Sequence, residues 1–340
     1  MLNTSSTLPP VATPASLSSS RNSTIDLVRT IACFGVIAIH VHSSTPAAES
    51  LGLFFLSFCV PFFFATALTY FANSLKPTIN VNATISKIFK RIGIPFLVWS
   101  FIYASLLFIK STLSGKPYSI DFIRLFLYGE SAEHMYYLPE LLVMQLLTLG
   151  IYLLAIRTKI LTGLLMVVFP VLYLAWGYWH NYFGVTPAKC IVVYIIASFL
   201  IAPAIKTSAK SWLLLLFGII LFALPLFAIG FKEAATPFLN DYLFSLPLSG
   251  IGLLLIALNL PNTSLPAWAT SITSATYGIY LSHVMFLEAF EFASEKAHLS
   301  LKYTLANKLL IASILFIICM IFITVVRKLP RLRPLLLGEN

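Results

Sequence analysis

The chain has 340 residues, of which 59% are hydrophobic and only 10% are charged. Soluble globular domains average about 25% charged residues, and one soluble core cannot enclose this much apolar surface. The composition therefore excludes an ordinary soluble domain and indicates an integral membrane protein. The net charge is +10. Because Lys and Arg collect in the short loops between apolar blocks, we interpret them as orienting the helices and expect no nucleic-acid partner.

A polar N-terminal segment precedes ten apolar blocks. Residues 1–24 are rich in Ser, Thr and Pro, and a segment of this composition is predicted to be a disordered tail. Each later block approaches the roughly 20 residues that a bilayer-crossing helix needs. The pattern predicts an all-α transmembrane bundle of about ten spanning helices, in one membrane domain at 25–327, followed by a basic tail at 328–340. The predicted helices are 25–43, 52–73, 92–109, 136–156, 160–178, 190–205, 211–230, 243–260, 267–292 and 307–326.

The distribution of Lys and Arg predicts the orientation of the chain in the membrane. More of them fall on the side that holds both chain ends, so we expect both termini in the cytoplasm and the bundle in a bacterial cytoplasmic (inner) membrane. The longest loop on the opposite side, 110–135, is expected to act as a lid or a substrate platform. The sequence leaves the oligomeric state open, and a homodimer is one of the open states.

The four cysteines lie far apart in apolar blocks and show no CxxC spacing. This pattern favours small buried residues over a disulfide framework or a zinc site, and we expect no metal.

The first predicted helix carries three ionisable residues, Asp26, Arg29 and His40. Such groups are costly within a membrane and suggest function. Arg29 and His40 are eleven residues apart, which places them on the same helix face and about 16 Å apart along the axis. Asp26 lies one turn before Arg29 and is expected to pair with it. Alternatively, Arg29 only extends its charged head to the cytoplasmic interface.

A polar cluster is expected near the outer surface. With equal rise per residue, His283 in the ninth helix reaches the same depth as His40, and Glu140 enters from the opposite side to that depth. A carboxylate beside an imidazole favours its protonated form and fixes its tautomer, which suits a general base. The alternative is scattered polar residues that are satisfied by helix–helix hydrogen bonds. His42 faces elsewhere and is interpreted as an interfacial residue.

A second group of residues is basic. Lys87, Lys90 and Arg91 precede the third helix, and the cytoplasmic excess of positive charge explains them by itself. Together with Arg29, however, they would suit a polyanionic ligand such as a nucleotide diphosphate.

Five short motifs in this order resemble the bacterial acyltransferase-3 family of integral membrane O-acyltransferases, over about 25–325. Lysines stand in the third motif where the family usually has arginine, and Tyr136 stands where Trp is common. The motifs are Ile25–Ala32 followed by His40, Val60–Phe64, Lys87–Arg91, Tyr136–Pro139 and Thr276–His283.

The resemblance implies a cytoplasmic acyl-CoA donor, most simply acetyl-CoA, and a hydroxyl of a cell-surface or lipid-linked glycan as acceptor. Under it, Arg29, Lys87, Lys90 and Arg91 would hold the phosphates of CoA. The pantetheine arm would then carry the thioester along the first helix towards His40.

His40 would take the proton from the acceptor hydroxyl as that oxygen attacks the thioester, with Glu140 and His283 as the other catalytic candidates. A transient acyl-histidine is the alternative mechanism.

Two other function classes stay open at this point. Intramembrane His and Glu also relay protons in transporters, so a proton-coupled transporter or flippase of a glycan or small molecule is the second hypothesis. The sequence shows no inverted repeat in its favour. The third hypothesis is an idle scaffold or sensor, in which Arg29 and His40 are replaceable.

Overall fold

The computed structural model of the chain describes residues 22–115, 121, 123–125, 129–157, 188–206, 210–230, 242–262, 264–299 and 301–339. Within these ranges every regular element is helical, which confirms the predicted all-α class. The predicted helix 160–178 and nearly all of the predicted tail 1–24 lie outside the described residues.

The helices are numbered here in chain order. They are α1 Ser23–His40, α2 Pro46–Leu56, α3 Cys59–Ser74, α4 Val81–Ile88, α5 Ile94–Ser114, α6 Tyr137–Arg157, α7 Ala188–Lys206, α8 Trp212–Gly230, α9 Tyr242–Asn259, α10 Ala267–Lys296, α11 Leu305–Arg327 and α12 Leu332–Leu337.

Local capping residues fix where several helices begin. The side chains of Asn22, Thr45, Asn80 and Thr304 each accept a hydrogen bond from the backbone N–H three residues later. Ser, Thr, Asn and Asp are the preferred residues at this position, because they satisfy one of the unpaired N–H groups of the first turn. These helix starts therefore follow from the local sequence.

The predicted second helix, 52–73, is wrong in its bounds. Helical structure begins earlier, at Pro46, and is interrupted at Ser57 and Phe58 between α2 and α3. The hydroxyl of Ser249, on α9, donates a hydrogen bond to the backbone oxygen of Ser57. A backbone break inside a membrane bundle needs such a partner, because lipid offers none.

The predicted third helix begins earlier than expected, as α4, and runs into α5 through a π turn, Phe89–Gly93. The turn carries Lys90 and Arg91 of the basic motif. Single π turns inside helices occur often at functional sites. Pro95 follows in the first turn of α5.

In the part of the chain that the structure describes, five helical runs are long and apolar enough to cross a membrane: Ser23–His40, Pro46–Ser74, Val81–Leu113, Tyr137–Ala155 and Leu305–Arg327. Three shorter apolar helices, Cys190–Ile205, Trp212–Phe227 and Pro247–Asn259, accompany them among the described residues. Large apolar side chains such as Phe101, Leu200 and Ile321 are exposed on the outer faces of the bundle. The chain is therefore a polytopic membrane protein.

Different segments of the chain meet at the two ends of the bundle. At one end lie the start of α1 and the π turn, and Trp99 of α5 donates its indole N–H to the backbone oxygen of Leu336 in α12, at 2.9 Å. At the other end, the chain after α1 pairs with the chain before α11, through Ser44 N–H and the Tyr303 carbonyl at 3.0 Å. The same end receives the segment 129–136, which precedes α6.

Glycines allow three helices to approach closely. A Cβ on Gly250 of α9 would overlap the backbone of Pro61 and Phe62 in α3, and a Cβ on Gly252 would lie 2.6 Å from the Gly218 carbonyl of α8. Small residues at such contacts are typical of membrane helix packing.

We expect Gly250→Ala to lower the thermal stability of the purified protein, because the added methyl group forces α9 away from α3. Overpacking of this kind costs about 1–3 kcal/mol. Gly150→Ala is the matched control, since a Cβ at Gly150 meets no atom within 4 Å. Thermal unfolding in detergent measures both, and equal melting temperatures for the two variants would contradict the packing described.

Candidate active site

Three histidine rings meet where α1 ends. The ring centroids of His40 and His283 are 5.2 Å apart, as the equal-depth argument anticipated. The ring of His134 lies 4.7 Å from that of His283 and 6.0 Å from that of His40. His134 and His283 are buried, and His40 is partly buried. The cluster therefore joins α1, α10 and the segment before α6.

His134 is not among the site residues predicted from the sequence, because it lies before a predicted helix and not within one. Its backbone oxygen accepts a hydrogen bond from the Tyr280 hydroxyl of α10. Its ring packs edge-on against Tyr103 and Tyr280, at 5.3 Å from each. The available signal was its position two residues before the Tyr136–Pro139 motif.

The cluster presents imidazole nitrogens that make no well-formed hydrogen bond to the described residues. Nδ1 of His283 lies 2.7 Å from the Tyr280 carbonyl, which assigns the proton to Nδ1 and leaves Nε2 as an acceptor with no partner among those residues. Neither ring nitrogen of His134 makes a hydrogen bond of ordinary geometry there, although the backbone of Leu281 lies close enough to oppose the lowering of its pKa. Burial, and then the nearby His283 and His40, hold the pKa of His134 well below the usual value of imidazole. Buried polar atoms are normally paired, so the cluster is a candidate site for a bound group.

The carboxylate beside His40 is Glu133, whose Oε2 lies 3.4 Å from Nδ1 of His40. Its contact with His40 holds the pKa of Glu133 below its ordinary value, against the opposing effect of burial. Glu140, the predicted carboxylate, is buried in the first turn of α6, where the helix dipole favours a negative charge. A catalytic part for Glu140 stays a prediction.

His42 sits at the rim, mostly exposed, with Nε2 3.3 Å from Oε1 of Glu291. Its ring also packs against Tyr303, at 5.4 Å. This position agrees with the predicted interfacial residue.

At the other end of α1, the predicted pair of Asp26 and Arg29 is confirmed, at 3.6 Å between Oδ1 and Nη1. Arg29 also donates from Nη2 to the Thr276 hydroxyl of α10, at 3.3 Å. Arg29 is therefore held in place and does not simply extend to the interface.

The basic motif lies at this same end, and Lys87, Lys90 and Arg91 are all exposed there. The backbone carbonyl of Arg91 accepts a hydrogen bond from the Tyr277 hydroxyl of α10, at 3.1 Å. The π turn is thus fastened to the helix that also holds Arg29.

The face of α1 between Arg29 and His40 is closed in this structure. Cys33 is 0% exposed and Val36 is 2% exposed, so no space of the size of a water molecule touches Cys33. The thiol of Cys33 contacts the Thr276 carbonyl at 3.4 Å. The expected open path for a pantetheine arm along this face is therefore wrong for this conformation. All four cysteines of the chain are buried, as the sequence predicted.

An aromatic cluster lies beside the closed face and unites three of the sequence motifs. The ring of Tyr137 in α6 lies 4.5 Å from Phe64 and 6.5 Å from Phe63 in α3. It also lies 5.1 Å from Tyr280 in α10, which in turn contacts His283 at 5.9 Å. The cluster thus leads from the middle of the bundle to the histidines.

A cavity of about 590 Å³ opens beside His40, and His134 and His283 are not among the residues that line it. His40 and the rim residue His42 line it, α5 and α10 form its sides, and the loop residues Glu130–Glu133 complete its wall. A role of the 110–135 loop as a lid or substrate platform stays a prediction. Arg29 is not among the residues that line it.

The family of the chain follows from a comparison of its whole length. Residues 22–327 match the model of the acyltransferase-3 family, described as an acyltransferase domain, so the chain belongs to that family. No curated protein and no solved structure matches the chain. The protein is therefore a membrane acyltransferase, an enzyme that transfers groups other than aminoacyl groups.

We expect the pKa of Glu133 to rise towards the ordinary glutamate value in a His40→Ala variant, because the imidazole contact that lowers it is lost. His42→Ala is the control, since His42 contributes least to the lowering, and it should raise the pKa of Glu133 less. Infrared difference titration measures both, with Glu133→Gln to assign the carboxylate band. An unchanged pKa in His40→Ala would show that the two side chains do not interact.

Proposed function

We propose that the protein transfers an acyl group, most simply acetyl, from cytoplasmic acyl-CoA to a hydroxyl of a cell-surface or lipid-linked glycan, with His40 as general base. The observation that carries the proposal is the position of His40, which lines the outer cavity and contacts two buried imidazoles. Acceptor and base then meet in the cavity, and the thioester arrives from the opposite end of the bundle.

In the proposed reaction, Glu133 accepts a hydrogen bond from the Nδ1–H group of His40, so that Nε2 is the basic nitrogen. Nε2 removes the proton from the acceptor hydroxyl as its oxygen attacks the thioester carbonyl. The tetrahedral intermediate then expels the CoA thiolate, which takes that proton from His40. The new ester and free CoA are the products, and His40 returns to its starting state.

His134 supplies the remaining element of the proposal. As a neutral imidazole it keeps one N–H, which is available to the negative oxygen of the intermediate. A fixed donor in a site without bulk water stabilises such an oxygen strongly, because it needs no reorganisation during the reaction. The lack of a well-formed hydrogen bond from its ring nitrogens to the described residues supports this part.

The donor end is proposed to be the one that carries Arg29, Lys87, Lys90 and Arg91, facing the cytoplasm of a bacterial inner membrane. These four cations match the negative phosphates of CoA. Because the α1 face is closed, the thioester arm must separate packed side chains on its way to His40. The aromatic cluster, which continues to the histidines, is the proposed route.

We expect His40→Ala to reduce acyl transfer by about 10²–10⁴-fold, the usual contribution of a general base. Labelled acetyl-CoA and a panel of glycans, with purified protein in liposomes, measure the rate. His42→Ala is the control and should keep most of the activity, because its ring turns towards Glu291 and Tyr303. A His40→Ala protein that transfers acetyl as fast as the parent would contradict the role of His40 as general base.

We expect Lys90→Glu and Arg91→Glu to raise the KM for acetyl-CoA by about tenfold each, with kcat little changed, because charge reversal opposes phosphate binding. Lys76→Glu is the matched control, an exposed cation of the loop before α4. The KM for acetyl-pantetheine, which lacks the nucleotide phosphates, should be the same in all three variants. A KM that changes as much in Lys76→Glu would show only a general surface charge effect.

A further inference from the structure

The outer cavity lies between α5 and α10, which both line it. The hydroxyl of Tyr103 in α5 donates to the Leu281 carbonyl of α10, at 2.8 Å, and accepts from Met285 N–H at 3.2 Å. Further out, α5 and α10 are joined by an ion pair of Lys110 and Glu288. The space between these two ties is the side of the cavity.

The polar wall of the cavity is predominantly acidic. The described residues that line it include four carboxylates and one ammonium: Glu130, Glu133, Glu288, Glu291 and Lys110. The Arg124 guanidinium lies 3.9 Å from Glu130 without lining the cavity, and the lining imidazoles of His40 and His42 lie beside Glu133 and Glu291. Four carboxylates therefore face two permanent cations. Lys110 is already paired with Glu288. The charge of this wall is therefore opposite to that of the end of the bundle that carries Lys87, Lys90 and Arg91. An anionic group that enters the cavity therefore meets like charges, which disfavour binding.

A second observation points to a bound ligand. Ser131 lines the cavity, is 1% exposed, and its hydroxyl has no hydrogen-bond partner in the described chain. Buried hydroxyls normally have a partner. In sequence Ser131 lies between Glu130 and Glu133, and all three line the cavity, so the loop offers a donor and acceptors to it. Such a set suits the hydroxyl groups of a sugar.

The remaining wall is apolar and continues onto the outside of the bundle. Leu106, Ile109 and Leu113 of α5 line the cavity and are also 39%, 52% and 63% exposed. The cavity is therefore polar towards His40 and apolar towards the lipid.

We infer that this cavity binds the sugar head of a membrane-anchored acceptor, and that this head is uncharged or cationic and carries no carboxylate or phosphate. The inference rests on the proposed function and narrows its acceptor. The carboxylates and Ser131 bind the hydroxyl or ammonium groups of the head, while the apolar wall of α5 takes the start of the lipid chain. The donor phosphates, held at the other end, are excluded from this cavity by its charge.

Binding of alkyl glycosides, measured without any acyl donor, tests the inference. The probes are octyl glucoside, octyl glucosaminide and octyl glucuronide, added to the full chain in phosphatidylcholine nanodiscs, with empty nanodiscs as the reference for partitioning. We expect the first two to bind at least about tenfold more tightly than the glucuronide. We also expect methyl glucoside to bind more weakly than octyl glucoside, since it lacks the chain.

A Glu130→Gln/Glu291→Gln double variant should bind the glucuronide more tightly and narrow the difference between the probes. Glu295→Gln is the matched control, an exposed carboxylate of α10 outside the cavity, and should leave the difference unchanged. Both substitutions are nearly isosteric. Size-exclusion chromatography checks the folding of the variants, which should elute at the same volume as the parent.

Equal binding of glucoside and glucuronide would overturn the inference, as would a difference that persists in the double variant. Equal binding of methyl and octyl glucosides would contradict the claim that the acceptor is anchored in the membrane. Failure of the proposed function is distinguishable, because it leaves this binding pattern intact and removes only acyl transfer. Conversely, acyl transfer to an acceptor with an anionic head group would support the proposed function and refute the inference.

Discussion

The packing of α1 against α10 is the contact on which the rest of the site depends. At one end of it Arg29 donates to the Thr276 hydroxyl, and at the other the rings of His40 and His283 meet. Between these points the Cys33 thiol contacts the Thr276 carbonyl. Because both helices are rigid, one packing arrangement fixes the positions of the proposed donor and acceptor ends together. A rotation of either helix would separate both pairs.

The two ends of the bundle carry opposite charges, and the middle is apolar and aromatic. Lys87, Lys90 and Arg91 are exposed at one end, while Glu130 and Glu133 line the cavity at the other. An anionic donor would be attracted to the basic end and disfavoured at the acidic one, a cationic acceptor would show the opposite preference, and an uncharged acceptor would be disfavoured at neither. The same arrangement opposes passage of the whole donor through the bundle, so that only a thin uncharged arm needs to reach His40.

Local sequence and tertiary contacts divide the control of the helices. The starts of α4 and α11 follow from Asn80 and Thr304, whose side chains cap their own first turns. The interruption between α2 and α3 has a local and a distant partner. The Ser57 hydroxyl donates to the Phe54 carbonyl one turn before, and Ser249, 192 residues later along the chain, donates to the backbone oxygen of Ser57. Hydropathy alone joins this region into one helix, because the interrupted stretch is as apolar as its flanks.

The sequence by itself determined the membrane class, the helical fold, the pairing of Asp26 with Arg29 and the common depth of His40 and His283. Each follows from composition or from the fixed rise and rotation of a helix. Only the tertiary structure decided that His134 and Glu133 join His40, and that the α1 face is closed. Those residues lie in a loop whose position is set by partners distant in sequence, such as the Tyr280 hydroxyl, and no helical period predicts where such a loop packs.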